Sequence, residues 1–195
     1  PGLVLPSVKG LAASPYSHRY FVDGSPTVGD ICFGHTTSVP CAAATDWRTI
    51  IVGGLNSGGR GFYALDVTNP SAPVALWEFR GGSDASCIAT DAAVDGTQTG
   101  DCNMGLSFGN PIITKLPSTF TPAASAGKWV VLLTSGYNNV SPGDGRGYLY
   151  IVDAQSGKLI KRIGTGTGDT TTPSGLARIN AWSDNANVDN TSLTV

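Results

Sequence analysis

The chain has 195 residues, a formal net charge of −2 and 13% charged residues, and its lysines and arginines are scattered along the sequence. This distribution disfavours a nucleic-acid-binding surface, and no apolar run reaches the roughly 18 residues that a membrane-spanning helix needs. With 41% hydrophobic residues, 26 glycines and 12 prolines, the composition excludes a disordered chain and long surface helices. It favours short strands joined by tight turns.

The first part of the chain, up to residue 80, is predicted to contain one unit of four short strands. It begins at Pro1 without an initiator methionine or signal peptide, so we interpret the chain as an excised or processed fragment. Residues 1–17 are predicted to be an irregular lead-in or the end of a preceding unit. From residue 18, apolar segments alternate with turns rich in Gly, Pro, Asn and Asp, which is the pattern of short strands. These segments lie at residues 24–28, 47–54, 59–66 and 74–79.

Two polar inserts interrupt the strand pattern. The first insert, residues 34–46, lies between the first two predicted strands, and the second insert, residues 81–105, connects this unit to the next. Long loops in compact domains are usually either functional or disordered. Because cysteines bracket these inserts, we predict ordered, exposed loops that are candidate contact surfaces.

The four cysteines form two local pairs, Cys32 with Cys41 and Cys87 with Cys102. Four cysteines allow three connectivities, and loop closure favours two short disulfides that contribute about 3 kcal/mol each. Four free thiols or a single zinc site are the alternatives, but a zinc site is disfavoured because no CxxC spacing is present. Disulfides would place the protein in an oxidising compartment.

Residues 106–168 repeat the four-strand pattern. The nearly continuous apolar run at 130–133 predicts a strand covered on both faces, and residues 153–157 predict a hairpin turn in which Gly157 takes a positive φ. The Gly-Thr-Gly-Thr-Gly segment at 164–168 lacks the spacing of a phosphate-binding loop and is predicted to be a linker. Residues 169–195 begin a third unit. The matching segments of the second unit are 109–113, 129–136, 145–153 and 158–163.

Four strands in a repeated unit are the signature of a propeller blade. We therefore predict an all-β fold made of antiparallel four-stranded blades of a β-propeller, with about two blades and the start of a third. Each blade buries its faces against its neighbours, so the missing blades are expected in the parent protein. A β-sandwich is the structural alternative.

Five segments occur in an order that resembles the β-propeller of the PilY/PilC family of type IV pilus tip adhesins and biogenesis factors. The resemblance implies an exported protein at the pilus tip, outer membrane or cell surface. It also implies minor pilins as partners, a role in assembly and retraction, and contact with host cells or abiotic surfaces. In several members a von Willebrand A-like domain precedes the propeller. The segments are residues 18–30, 47–68, 105–111, 127–138 and 147–160.

The resemblance suggests calcium as the only cofactor, bound in family members by an Asp-rich loop near position 184. Calcium needs six to eight oxygen ligands, and here Asp184, Asn187 and Asp189 are the best candidates. The segment lacks the Asp-x-Asp-x-Asp core and a closing acidic residue, which favours a polar surface loop. Asp144 offers another carboxylate, but its Pro-Gly-Asp-Gly context predicts a turn first.

Other chemistry-bearing residues are few. Of the two histidines, His18 is predicted to make a structural hydrogen bond and His35 to be solvated in the first insert. Trp47 and Trp129 occupy equivalent positions in the two units, which favours core packing over a binding platform. A surface contact patch is predicted at Tyr137, Asn138 and Asn139.

These patterns favour a non-enzymatic adhesion and assembly module. Sequence motifs of zinc metalloproteases and redox enzymes, such as HExxH and CxxC, do not occur. Two alternatives remain from the repeat pattern, a quinoprotein-like dehydrogenase propeller and a carbohydrate-binding propeller. The first predicts saturable quinone binding with calcium, and the second predicts binding on a glycan array.

Overall fold

The computed structural model describes residues 1–181 and contains eight β-strands in two antiparallel four-stranded sheets. In each sheet the strands lie side by side in chain order, and among the described residues every strand pairs within its own repeat copy. The predicted all-β class and four-stranded antiparallel blades are confirmed. We call the sheets the first blade and the second blade. The first blade contains β1 (Thr27–Cys32), β2 (Trp47–Gly54), β3 (Gly61–Asp66) and β4 (Val74–Arg80), and the second contains β5 (Ile112–Lys115), β6 (Trp129–Thr134), β7 (Tyr148–Asp153) and β8 (Leu159–Gly164).

Helical structure in residues 1–181 is limited to one short α-helix, α1 (Leu5–Val8), and to 3₁₀ turns. Residues 1–17, predicted as a lead-in, hold α1 and the two 3₁₀ turns on either side of it. The backbone N–H of Gly2 donates to the carboxylate of Glu78 in β4, and Val4 is buried. None of the helices in the described part of the chain is long and apolar enough to cross a membrane. The 3₁₀ turns are Gly2–Val4, Lys9–Ala12, Ala44–Asp46, Asn56–Gly58, Gly82–Asp84, Asp91–Ala93 and Ala123–Ser125.

The two blades repeat each other even in an irregularity. The register between the third and fourth strands shifts by one residue in both, which leaves Leu76 of β4 and Ile160 of β8 as extra residues at equivalent positions. A bulge of this kind bends a strand and increases its twist. The hairpin turn after β7 forms as predicted, with a φ of 69° at Gly157.

The main hydrophobic core lies between the two blades. Phe62 and Phe79 of the first blade are fully buried, and the ring centroid of Phe79 lies 5.3 Å from that of Tyr150 in the second blade. The indole N–H of Trp77 donates to the carbonyl of Ala154 at 2.9 Å. Burial of one such side chain contributes roughly 1.5–3 kcal/mol, so the shared core holds the blades face to face.

A smaller apolar cluster covers the opposite face of the second blade. Val130, Leu132 and Ile151 are buried there, and Ile179 and Ala181 pack against them from the last described segment. Because both faces of the second blade are covered, β6 is almost entirely buried, as its apolar run predicted.

Candidate functional site

A polar cluster, buried except at Asp91, occupies the junction between the blades, where the second insert passes over β8. It consists of Asp91, Asp101, Tyr148, Tyr150 and Arg162, and we call it the junction cluster. Arg162 is 2% exposed and Asp101 is 0% exposed. Because a buried charge without a partner is strongly unfavourable, the two sides of the junction depend on each other. The insert supplies both carboxylates, and the second blade supplies the guanidinium.

The guanidinium of Arg162 is held by hydrogen bonds at its edge and by an aromatic ring on its face. Its Nε donates to Oδ1 of Asp91 at 2.6 Å, and its Nη1 donates to Oδ2 of Asp101 at 2.8 Å. Nη1 also donates to the carbonyl of Ile88 at 2.8 Å, and the guanidinium carbon lies 4.3 Å from the ring centroid of Tyr148. A planar guanidinium is suited to such combined hydrogen bonding and stacking.

Two tyrosine hydroxyls donate to carboxylates at the junction. Oη of Tyr150 donates to Asp101 at 3.2 Å, and Oη of Tyr148 donates to Asp144 at 2.6 Å. Burial, followed by the nearby charge of Asp101, raises the pKa of Tyr150 well above its ordinary value. Burial, followed by the hydrogen bond to Asp144, raises the pKa of Tyr148 to about 12. Both phenols therefore stay neutral donors at physiological pH.

The charge of Arg162 is also fixed. Burial acts to lower its pKa, but the hydrogen bonds to Asp101 and Asp91 outweigh burial and raise the pKa above its ordinary value. None of these three shifts moves a group toward a pKa near neutrality, where a general acid or base works best. The arrangement is suited to holding two elements together.

A second arginine crosses the junction beside the loop between β6 and β7. Arg60, just before β3, donates from Nη2 to the carbonyls of Asn138 at 2.8 Å and Val140 at 3.2 Å. Its Nη1 donates to the carbonyl of Pro142 at 3.3 Å. We call this arrangement the carbonyl clamp. One guanidinium of the first blade thereby holds three backbone carbonyls of the second.

The first insert packs against the second blade. Nδ1 of His35 lies 2.7 Å from the carbonyl oxygen of Gly127, so the ring is half-buried and bonded. The N–H of Thr37 donates to the carbonyl of Ala126 at 3.3 Å, and the N–H of Gly34 donates to a side chain beyond β7. The prediction of a solvated His35 was therefore wrong. The first insert turns across the junction, where it forms hydrogen bonds with backbone carbonyls of the second blade.

The second insert bridges the outer strands of both blades. Its residues 98–101 exchange backbone hydrogen bonds with Arg80 at the end of β4, from Arg80 N–H to Thr99 and from Asp101 N–H to Arg80, each at 3.0 Å. The N–H of Leu159 in β8 donates to the carbonyl of Gln98 at 2.8 Å. Parts of both inserts are exposed, but their main contacts lie at the junction and not on a free surface.

Both predicted disulfides are present. Cys32 is bonded to Cys41 with a Cα–Cα distance of 6.1 Å, and Cys87 is bonded to Cys102 with a Cα–Cα distance of 4.6 Å. The alternatives of free thiols or a four-cysteine zinc site are excluded, since no cysteine of the chain is free. Each bridge braces one of the inserts that cross the junction.

The predicted surface patch is only partly exposed. Tyr137 is 46% exposed and Asn138 is exposed, but Asn139 is 1% exposed, so its prediction as a surface contact was wrong. Nδ2 of Asn139 donates to the carbonyls of Asn103 at 3.0 Å and Arg146 at 2.7 Å. The side chain points inward because these buried carbonyls need a donor.

The candidate metal ligands divide into two groups. Asp144 lies in the predicted turn, and its carboxylate accepts hydrogen bonds from the N–H of Arg146 at 2.9 Å and from Tyr148. Asp184, Asn187 and Asp189 lie outside the described residues. Within residues 1–181 there is no group of three or more His, Cys, Asp or Glu side chains that could hold a metal ion.

The equivalent tryptophans pack against each other, as favoured from the sequence. Trp47 begins β2 and Trp129 begins β6, both are half-buried, and their ring centroids lie 5.9 Å apart at an interplanar angle of 71°. His18 is exposed, and its Nδ1 lies 3.3 Å from the hydroxyl of Tyr16.

Sequence reasoning missed the charged residues of the junction. Arg162 is in a weakly alternating strand, where an arginine is usually assigned to the wet face. Asp91 and Asp101 are in an insert that was predicted to be exposed. One signal was available: a Gly-Arg-Gly triplet precedes the third strand in both repeats, and the first of these contains Arg60.

Comparison with known proteins gives a consistent result. A family model described as the PilY1 beta-propeller domain matches residues 4–192. The type IV pilus biogenesis factor PilY1 of Pseudomonas aeruginosa is 31% identical over 180 residues, which cover 91% of this chain and 12% of that protein. A PilY1 homolog of Xylella fastidiosa is 31% identical over 166 residues, which cover 84% of this chain and 9% of that protein.

A solved structure shows the same architecture. The crystal structure of the Pseudomonas aeruginosa PilY1 C-terminal domain matches with a TM-score of 0.58 and 28% sequence identity, covering 88% of this chain and 27% of that one. The chain thus spans about 12% of the curated relative of Pseudomonas aeruginosa that it matches.

Proposed function

The chain belongs to the PilY1 β-propeller family, and on that premise we propose that its blades form a non-enzymatic module of a type IV pilus tip-associated adhesin and biogenesis protein. The proposed roles are pilus assembly, control of retraction, and attachment to host cells or abiotic surfaces. The proposed partners are the minor pilins of the pilus tip. The two disulfides indicate an extracytoplasmic protein, and we propose the pilus tip, outer membrane or cell surface as its location.

The observation that carries this proposal is the construction of the junction between the blades. Its charged side chains are engaged with each other, and its two crossing inserts are each braced by a disulfide. A module that transmits force at a filament tip needs blades that do not separate under load. The combination of a shared apolar core, a buried ion pair and braced crossings meets that need.

The proposed contact surface lies at the same end of the blades as the carbonyl clamp. It is formed by the loop between β6 and β7. The ring of Tyr137 is 46% exposed and is supported by Phe108, whose ring centroid lies 5.5 Å away. Tyrosine combines a large apolar area with a polar tip and is enriched in interfaces. Separately, the second insert frames an open cleft of about 560 Å³ lined mainly by small and polar residues.

The proposal is tested in a bacterium that makes the full-length protein from its own gene. Deletion of the gene is expected to reduce surface piliation, and complementation with a Tyr137→Ala, Asn138→Gly double variant is expected to restore piliation while lowering surface attachment. Glycine at position 138 suits the φ of 54° found there. Val74→Ala, at the 58% exposed Val74 of the other end, is the control and should behave as wild type.

Two outcomes would count against the proposal. Unchanged piliation and attachment after gene deletion would remove the pilus role. Normal attachment by the double variant would leave the pilus role but remove the contact surface at Tyr137.

A further inference from the structure

The bridge between Cys87 and Cys102 lies directly beside the junction cluster. The residues next to the two cysteines inside the loop, Ile88 and Asp101, both accept hydrogen bonds from Nη1 of Arg162, each at 2.8 Å. The N–H of Ile88 also donates to Oδ1 of Asp101 at 3.1 Å, and both residues are buried. The disulfide therefore ties together the two ends of the insert that hold Arg162.

The two cysteines of this bridge differ in their exposure. Cys87 is exposed and lies in the wall of the open cleft that the second insert frames, whereas Cys102 is 1% exposed. Thiol–disulfide exchange begins when a thiolate attacks one of the two sulfurs, and access helps to decide which sulfur is attacked. A thiol that enters the cleft therefore meets Cys87, and Cys102 becomes the leaving group.

The other bridge provides a comparison within the same protein. Cys32 is 3% exposed and Cys41 is half-buried, so this bridge is better shielded from a thiol in solution. Its insert contacts the second blade through His35 and other residues that do not belong to the junction cluster. The carboxylates and the carbonyl that hold the guanidinium of Arg162 all come from residues 88–101.

We propose that the Cys87–Cys102 bridge is a thiol–disulfide exchange site whose co-reactant is a protein dithiol of the extracytoplasmic compartment. One thiolate of the dithiol attacks the sulfur of Cys87, the bond to Cys102 breaks, and Cys102 leaves as a thiolate that takes up a proton. The second thiol of the dithiol then attacks the mixed disulfide, which releases Cys87 as a thiol and leaves the reductant as a disulfide. The reductant loses two electrons, and the bridge gains them.

Opening the bridge loosens the hold on Arg162. Ile88 and Asp101 are then joined only by a hydrogen bond, at the ends of a loop that the disulfide no longer closes. Because Asp101 and Arg162 are buried, separation of the loop ends leaves their charges uncompensated and weakens the junction. The exchange thus changes how firmly the second insert holds the two blades. This inference depends on the bridge and the junction and not on the pilus role.

The first measurement compares the reduction rates of the two bridges in the folded full-length protein made from its own gene. The protein is treated with dithiothreitol, free thiols are blocked with N-ethylmaleimide at intervals, and peptide mass spectrometry reports each bridge separately. The Cys87–Cys102 bridge is expected to open at least about tenfold faster than the Cys32–Cys41 bridge, because one of its cysteines is accessible. Glutathione, a monothiol, should leave its adduct on Cys87 and not on Cys102.

The second measurement is backbone hydrogen–deuterium exchange of the oxidised and the reduced protein. Reduction should accelerate exchange in residues 88–101 and in β8 by roughly tenfold or more, since the ends of the loop are freed. The variant Cys32→Ser, Cys41→Ser is the control, because it keeps the bridge at the junction and should show the same redox dependence in β8. The variant Cys87→Ser, Cys102→Ser should exchange fast under both conditions.

Three outcomes would overturn the proposal. Opening of the Cys32–Cys41 bridge at an equal or faster rate would show that the cleft gives no preferred access. A glutathione adduct on Cys102 would contradict the assignment of the attacked sulfur. Unchanged exchange in β8 after complete reduction would show that the bridge does not hold Arg162. The reduction measurements use the wild-type protein, so they decide the question even if a cysteine variant fails to fold.

Discussion

Single residues at the junction show how buried charge is tolerated here. Arg162 is almost fully buried, but every polar contact it makes is with a carboxylate, a carbonyl or an aromatic face. Asp101 is fully buried and accepts from Arg162, Tyr150, Ile88 and Asn103. Such a pair adds little stability relative to an apolar pair, but removing one partner is costly.

We therefore expect Arg162→Met to lower the free energy of unfolding by about 3–5 kcal/mol, because Asp101 is left buried and charged without its partner. Urea unfolding followed by tryptophan fluorescence measures the effect. The double variant Arg162→Met, Asp101→Asn should recover part of the loss, since the uncompensated charge is gone. A loss below about 1 kcal/mol in the single variant would be typical of an exposed pair and would contradict the buried assignment.

A second prediction at this scale concerns pH. The pKa of Tyr148 is raised from 10.0 to about 12 in the folded protein, so between these values the folded protein keeps a proton that the unfolded chain releases. The stabilisation from this group is complete below pH 10 and should be lost as the pH rises through that window. Ultraviolet titration of tyrosinate, compared between wild type and Tyr148→Phe, measures the pKa. A midpoint near 10 for this residue would contradict the prediction.

At the scale of elements, the sequence predicted the strands well and the inserts poorly. Strands could be predicted because each is a local pattern: an apolar run at 130–133 or a glycine at 157 acts through its own neighbours. The junction cluster could not, because Asp91 and Arg162 are 71 positions apart and meet only when the insert folds back over β8. Asn139 was misplaced for the same reason, since its partners at 103 and 146 are brought together by tertiary folding.

The braced inserts give the prediction at this scale. Replacing Cys87 and Cys102 with alanine should lower the free energy of unfolding by about 3 kcal/mol in the chain-entropy model, with the strand content intact before melting. The separation of 15 residues exceeds the 9 of the other bridge, so the Cys32→Ala, Cys41→Ala control should lose slightly less. Circular dichroism during thermal melting follows both. Melting that is unchanged by reductant would show that the bridges brace nothing.

At the scale of the whole molecule, the two blades share one core and are not two independent sheets. Phe79 belongs to β4 of the first blade, but its ring packs against Tyr150 of the second blade. The inserts and the carbonyl clamp add further contacts across the same boundary. Because the stabilising contacts belong to both blades at once, unfolding is expected to be cooperative across the pair.

Phe79→Ala tests this cooperativity. Truncating a fully buried phenylalanine costs about 3–5 kcal/mol, and the resulting cavity borders both blades. Amide exchange should therefore accelerate together in β2, β3, β6 and β7. Faster exchange confined to the first blade would show that the blades unfold separately. Val28→Ala, which shortens a side chain that is 65% exposed, is the matched control and should leave exchange unchanged.

The bridge between Cys87 and Cys102 brackets the stretch of chain that passes from one blade to the other. Residues 89–93 are the exposed part of that stretch and are accessible to proteases. A single cut there would break the polypeptide, yet the sulfur–sulfur bond would still join the two fragments covalently on either side of the nick. In an oxidising extracytoplasmic compartment, where reductants are scarce, the protein would therefore survive such damage as one molecule.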